Sequence, residues 1–171
     1  MKQTRPVSKP QFIRHVNHLR VNEFLTHTYL GMHSSYLNRN VNIDIFRPRK
    51  QLNETPVLFL NDGQDARQLK LQEILTRRFK NDTQTNIIVI GIHAGDRIHE
   101  YGVSHFPDYK NRGNKAANHE SFIISELIPS LKDELQIAWR REHTAYAGFS
   151  LGGLSALDMV WRNTRLFSTA G

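Results

Sequence analysis

The sequence predicts an α/β fold, a mainly parallel sheet with helices on both faces. Short apolar, β-branched runs at 57–60 and 87–92 read as strands buried on both sides, and segments of helical period lie between and after them. The 171 residues are 39% hydrophobic and 23% charged, the composition of one globular domain. Residues 1–20 read as a loosely held polar arm and 21–171 as the folded domain.

The elements follow in order. Residues 24–29 suit a short strand. Val41, Ile43 and Ile45 alternate with Asn42 and Asp44, a half-buried strand closed by Arg47-Pro48. Val57-Leu58-Phe59-Leu60 is a strand ending on the Asn61-Asp62-Gly63 turn signal. From 64 to 79 the period becomes helical, with Leu71, Ile74, Leu75 and Phe79 on one face and Arg77, Arg78 and Lys80 near the end that favours cations. After the strand at 87–92, residues 93–118 carry Gly95, Gly102, Pro107 and Gly113 and read as a long functional loop. Phe122, Ile123, Leu127, Ile128, Leu131 and Leu135 restore a helical face, with Pro129 starting a second segment. Residues 144–147 form a brief strand, and Leu154, Leu157, Val160 and Trp161 the buried face of a last helix.

Composition excludes several functions. With no cysteine there is no disulfide framework, thiolate metal site or cysteine nucleophile, which is compatible with a cytoplasmic location. The longest apolar run, 87–92, is far short of the about 20 residues of a membrane helix, so no membrane partner is expected. The net charge of +7 raises nucleic acid as a partner. Lys2, Arg5, Lys9, Arg14 and Arg20 have no interleaved aromatics to stack bases, however, and elsewhere the charges mix. No nucleic-acid role is expected.

Chemistry enters at Gly148-Phe149-Ser150-Leu151-Gly152. This G-x-S-x-G follows one strand candidate and leads into a helix, the setting of a nucleophile elbow. The sharp turn lifts the serine Oγ above the sheet, and glycines at 148 and 152 avoid collision across it. The competing reading is that Ser150 merely caps the helix. A serine nucleophile also needs donors aimed at the oxyanion. The backbone N–H of Leu151 is one, and the turn at 60–64, leaving the C-terminal end of a buried strand, is the candidate source of the other.

Leu58-Phe59-Leu60-Asn61-Asp62-Gly63-Gln64, Arg97 with Glu100-Tyr101, Glu126-Leu127-Ile128-Pro129 and Gly148-Phe149-Ser150-Leu151-Gly152-Gly153 together resemble the putative-esterase family of α/β-hydrolases. That branch includes enterochelin esterases, feruloyl esterases, S-formylglutathione hydrolase and mycolyl transferases, and the likeness runs from about Phe24 to Gly171. The resemblance implies that Ser150 is the nucleophile and that the Leu151 and Gln64 amides form the oxyanion hole. It implies that strand 57–60 lies between strands 87–92 and 144–147. It also implies acyl transfer from a small-molecule ester to water, with no cofactor and no metal.

The pattern breaks after Ser150. α/β-Hydrolase triads run Ser, then Asp or Glu, then His, yet past Ser150 the sequence holds one acid, Asp158, expected to face solvent, and no histidine. The last residues resemble the start of the next strand, so the chain reads as the N-terminal part of a longer hydrolase. A sheet cut there exposes an edge that invites self-association. Among upstream histidines, His93 sits at the rim shared with Ser150 and is expected to line the pocket rather than act as base. His143 is placed at the opposite rim, and His99, His105 and His119 in solvent. No histidine spacing suits a metal. Arg97, Glu100 and Tyr101 either orient a substrate carboxylate, hold the long loop over the site or form a surface ion pair within it. Asp62 is expected to cap the Gln64 helix or to fix the oxyanion turn through its backbone. The alternative to an esterase is a catalytically inactive hydrolase serving as a binding module.

Overall fold

The computed structural model describes residues 12–20, 22–50, 54–81, 86–136 and 139–171, with backbone only for 13–20. Residues 1–11 of the expected arm lie outside the described residues. Strand β1 (Phe12–Arg20) pairs antiparallel with β2 (Leu25–Ser34), so the second half of that arm belongs to the sheet. β2 runs on past the expected 24–29 because it pairs residue for residue with β3 (Arg39–Pro48), from Leu25–Pro48 to Ser34–Arg39.

The remaining strands are β4 (Val57–Asn61), β5 (Ile88–Ile92), β6 (Thr144–Ala147) and β7 (Thr169–Ala170), and the sheet order is β1-β2-β3-β5-β4-β6-β7. The parallel pairings are β5–β4, β4–β6 and β6–β7, while β1, β2 and β3 add an antiparallel flank joined through β3–β5. β4 lies between β5 and β6, as the resemblance implied.

The side-chain period of two explains the apolar runs of β4 and β5. Val57, Phe59, Ile88, Ile90 and Ile92 point into the larger core, and Leu60 and Val89 into the smaller one on the other face. Helix α1 (Leu71–Asn81) covers the smaller core through Leu75 and Phe79. It starts later than its hydrophobic period because Lys70 adopts a left-handed φ of 51° that α-helical geometry does not accommodate. The loop after β5 holds a single helical turn, α2 (Arg97–Glu100).

A continuous helical rod covers the larger core. It consists of α3 (Ala116–Phe122), a π segment (Ile123–Leu127) and α4 (Ile128–Leu135). The Ile128 N–H bonds to Ile123 O, five residues back, immediately before Pro129, which has no N–H to continue the ladder.

Helix α5 (Leu151–Arg162) corrects the sequence reading. Its buried face is Gly152, Ser155, Ala156 and Met159, whereas Leu154, Leu157 and Trp161 are exposed. Small residues occupy this face near the start because the helix begins almost in contact with β4, and Met159 reaches the core further along. Leu154, Leu157 and Trp161 are left on the outside.

One contact sets how closely the turn after β4 sits on β5. A Cβ at Gly63 would lie 2.5 Å from the Gly91 carbonyl carbon, so neither a side chain nor a small shift fits. Gly63→Ala is therefore expected to destabilise the fold by about 1–3 kcal/mol, the range for overpacking, measured by urea unfolding. Wild-type stability in that variant would show that the turn is not pressed on β5.

Candidate active site

Ser150 stands between β6 and α5 with φ 53° and ψ −120°. A residue with a Cβ pays about 1–3 kcal/mol for such a conformation, which persists only where its surroundings dictate it. Gly148 is part of that constraint, since a Cβ there would lie 2.4 Å from the Gly152 carbonyl carbon. Ser150 occupies the N-cap position but makes no side-chain cap bond, and it is exposed. The capping reading therefore fails at its defining contact. Leu151 opens the helix, so its N–H has no carbonyl one turn earlier to bond.

The turn after β4 meets this elbow. Asp62 is left-handed (φ 60°, ψ 45°) and leads into a 3₁₀ turn at Gly63–Asp65. The Asn61 amide donates to Gly152 O at 2.8 Å, and the Tyr146 hydroxyl donates to Asn61 Oδ1 at 3.0 Å, all buried. The buried Asp62 carboxylate accepts Arg97 Nε at 3.0 and 3.1 Å and the Gln64 side-chain amide at 3.0 Å. Asp62 N–H bonds to the Tyr101 hydroxyl at 3.0 Å. Burial, followed by the nearby Asp62 carboxylate, raises the Tyr101 pKa well above the usual phenol value, so it stays protonated.

On the other side of Gln64 a cleft of about 460 Å³ opens, lined by His27, Tyr29, Asp44, Arg67, Lys70 and His93 among others. At its floor Asp44 accepts Nε2–H bonds from His27 at 2.5 Å and His93 at 2.6 Å, one on each carboxylate oxygen. Burial alone would raise the Asp44 pKa; the two histidine hydrogen bonds outweigh it and hold the carboxyl below its ordinary range. Among the described residues no group of three His, Asp or Glu side chains is set to hold a metal ion.

Residues 34–171 match the family described as Putative esterase. The chain belongs to that family. No curated protein matches it. Its fold is similar to that of the enterochelin esterase from Shigella flexneri (TM-score 0.70, 24% identity, covering 83% of this chain and 34% of that one). It is also similar to an IroE-like serine hydrolase from Shewanella oneidensis (TM-score 0.67, 26% identity, 83% and 48%). A ferulic acid esterase gives a TM-score of 0.65 at 22% identity, with 86% and 56% covered. The chain thus spans about a third to just over half the length of these proteins.

Within this esterase-family fold, several residues fall elsewhere than the sequence suggested. Asp62 makes no cap bond through its side chain, because Arg97 and Gln64 engage it instead. Arg97 and Glu100 do not pair with each other. Glu100 is buried and takes a two-pronged bond from Arg39 at 2.6 and 2.7 Å, plus the Gly95 and Asp96 N–H groups. The loop is thereby fastened to β3. Asp158 faces the same loop rather than open solvent, accepting Ser104 N–H at 2.8 Å. His93 lines the cleft, whereas Asp62, Arg97, Glu100 and Tyr101 form the packed network behind the turn.

Sequence reasoning missed His27 and Asp44. The polar positions of the β2–β3 alternation were the available signal, but only the strand register brings them to His93. It also misplaced His119, which is 1% exposed, packs edge-on to Tyr101 and bonds to the Tyr146 hydroxyl at 3.3 Å. Burial lowers its pKa to about 4 from 6.5, so it is neutral in the fold. The unfolded chain then binds more protons between those values. Stability is expected to be intact above about pH 6.5 and to fall as pH drops toward 4, by about 3 kcal/mol from this group. His119→Gln should flatten that part of the curve in urea titrations at pH 7, 6 and 5. An unchanged slope would contradict the assignment.

Proposed function

We propose that the protein hydrolyses a small-molecule carboxylic ester with Ser150 as nucleophile. The observation that carries this is the strained φ of Ser150 on an exposed corner with no cap bond. Ser150 Oγ attacks the ester carbonyl, its proton passes to a base, and the carbonyl oxygen becomes an oxyanion facing the Leu151 and Gln64 amides. Collapse expels the alcohol and leaves an acyl-serine, which water hydrolyses to the acid. The base is a histidine of a longer chain of which these residues are the N-terminal part, in keeping with the 34% to 56% of its neighbours' lengths that this chain covers. His93 lines the cleft with its Nε2 bonded to Asp44, and the triad order puts the base after Ser150 instead. The chemistry calls for no metal or cofactor.

In the complete protein, Ser150→Ala is expected to abolish hydrolysis of p-nitrophenyl acetate and covalent labelling by a fluorophosphonate. Unchanged turnover in the variant would overturn Ser150 as nucleophile, and a wild-type protein that neither hydrolyses the ester nor labels would favour a non-catalytic binding module.

We also propose that the 171-residue chain self-associates through the outer face of α5. Leu154, Leu157 and Trp161 are 46%, 55% and 80% exposed there. Light scattering after gel filtration should show oligomers that Trp161→Glu dissociates; a wild-type monomer would refute it.

A further inference from the structure

We propose that Arg97 is a positioning residue that braces the elbow against the turn after β4, and so sets the spacing of the Leu151 and Gln64 amides. That these amides serve as oxyanion donors rests on the esterase reading; the brace itself does not.

The guanidinium has a rigid, planar set of donors, and Arg97 divides them between two chain segments. Its Nε reaches both Asp62 oxygens at 3.0 and 3.1 Å, and its Nη2 reaches Phe149 O at 3.2 Å. Each anchor adjoins a strained residue. Asp62 itself has φ 60°, and Phe149 O belongs to the peptide that leads into Ser150, at φ 53°. Phe149 O also accepts the Gly152 N–H at 2.9 Å, so two donors fix the orientation of that peptide plane. The guanidinium lies over the Tyr101 ring, 5.6 Å from its centre, and the same ring's hydroxyl accepts the Asp62 N–H.

A side chain kept to bind a substrate anion would leave its fork facing the solvent or the cleft. Arg97 instead spends Nε and Nη2 on the protein, one on each side of the junction. From below, Asn61 makes a second tie to Gly152 O. The two ties together hold the turns at fixed separation, and catalytic geometry of this kind is sensitive to shifts of about 1 Å.

The test separates this bracing from a simple charge effect. Arg97→Lys keeps the charge, but one ammonium cannot reach both anchors in the same geometry. Amide hydrogen exchange on the 171-residue chain is expected to accelerate together at Asp62 and Gly152, while β2 and β3 stay protected. Asp62→Ala, which removes one anchor, should loosen the same two positions. In the complete protein, Arg97→Lys should slow fluorophosphonate labelling of Ser150 by about 10- to 100-fold. Exchange that rises at only one of the two positions, at neither, or throughout the sheet overturns the brace, as does labelling at the wild-type rate. If the wild-type protein fails to label while both amides still loosen in Arg97→Lys, the esterase reading falls and the brace stands.

Discussion

Parallel pairing of β4 with β6 is the constraint on which the site depends. Parallel strands deliver their C-terminal ends to the same edge of the sheet, so the turn leaving β4 and the turn leaving β6 emerge side by side. The buried bond from Asn61 to Gly152 O then locks one turn to the other. Burying an amide and a carbonyl is costly unless they pair, and here each supplies the other's partner across 91 residues of sequence. The glycines follow from this closeness. A Cβ at Gly152 would sit 2.9 Å from Asp62 Oδ2, so the approach of helix to turn excludes a side chain.

Much of this was legible in the sequence, and for physical reasons. β4 and β5 announce themselves because strands covered on both faces must be apolar at consecutive positions. The elbow is legible because its steric demands are local: two glycines around a residue in a forbidden conformation, between a strand and a helix. What the sequence concealed is non-local. Asp44 reads as an ordinary polar position of an alternating strand until the β2–β3–β5 register brings His27 and His93 to it. Arg97 lies in a polar loop whose meaning comes from Asp62 and Phe149, 35 and 52 residues away. α5 misled for a different reason. Leu154, Leu157 and Trp161 have a helical period, yet the face against the sheet is Gly152, Ser155, Ala156 and Met159.

The buried polar groups form layers beneath the Ser150 corner. His119 donates toward Tyr146, Tyr146 donates to Asn61, and Asn61 donates to the carbonyl of Gly152. Each acceptor is oriented by the next donor, and the neutral histidine at the base introduces no buried charge. On the opposite flank the Arg39–Glu100 pair satisfies a buried carboxylate with a guanidinium and two backbone amides. A buried charge is tolerated when its hydrogen-bonding sites are filled in this way.

The π segment ahead of Pro129 fits one additional residue into the rod. The wide turn absorbs that residue locally, so the helical segments before and after it keep the phase of an unbroken α-helix. His119 and Phe122 upstream and Leu131 and Leu135 downstream are therefore buried along one face. In this chain the phase of a cylinder, not merely its length, is written into five consecutive positions.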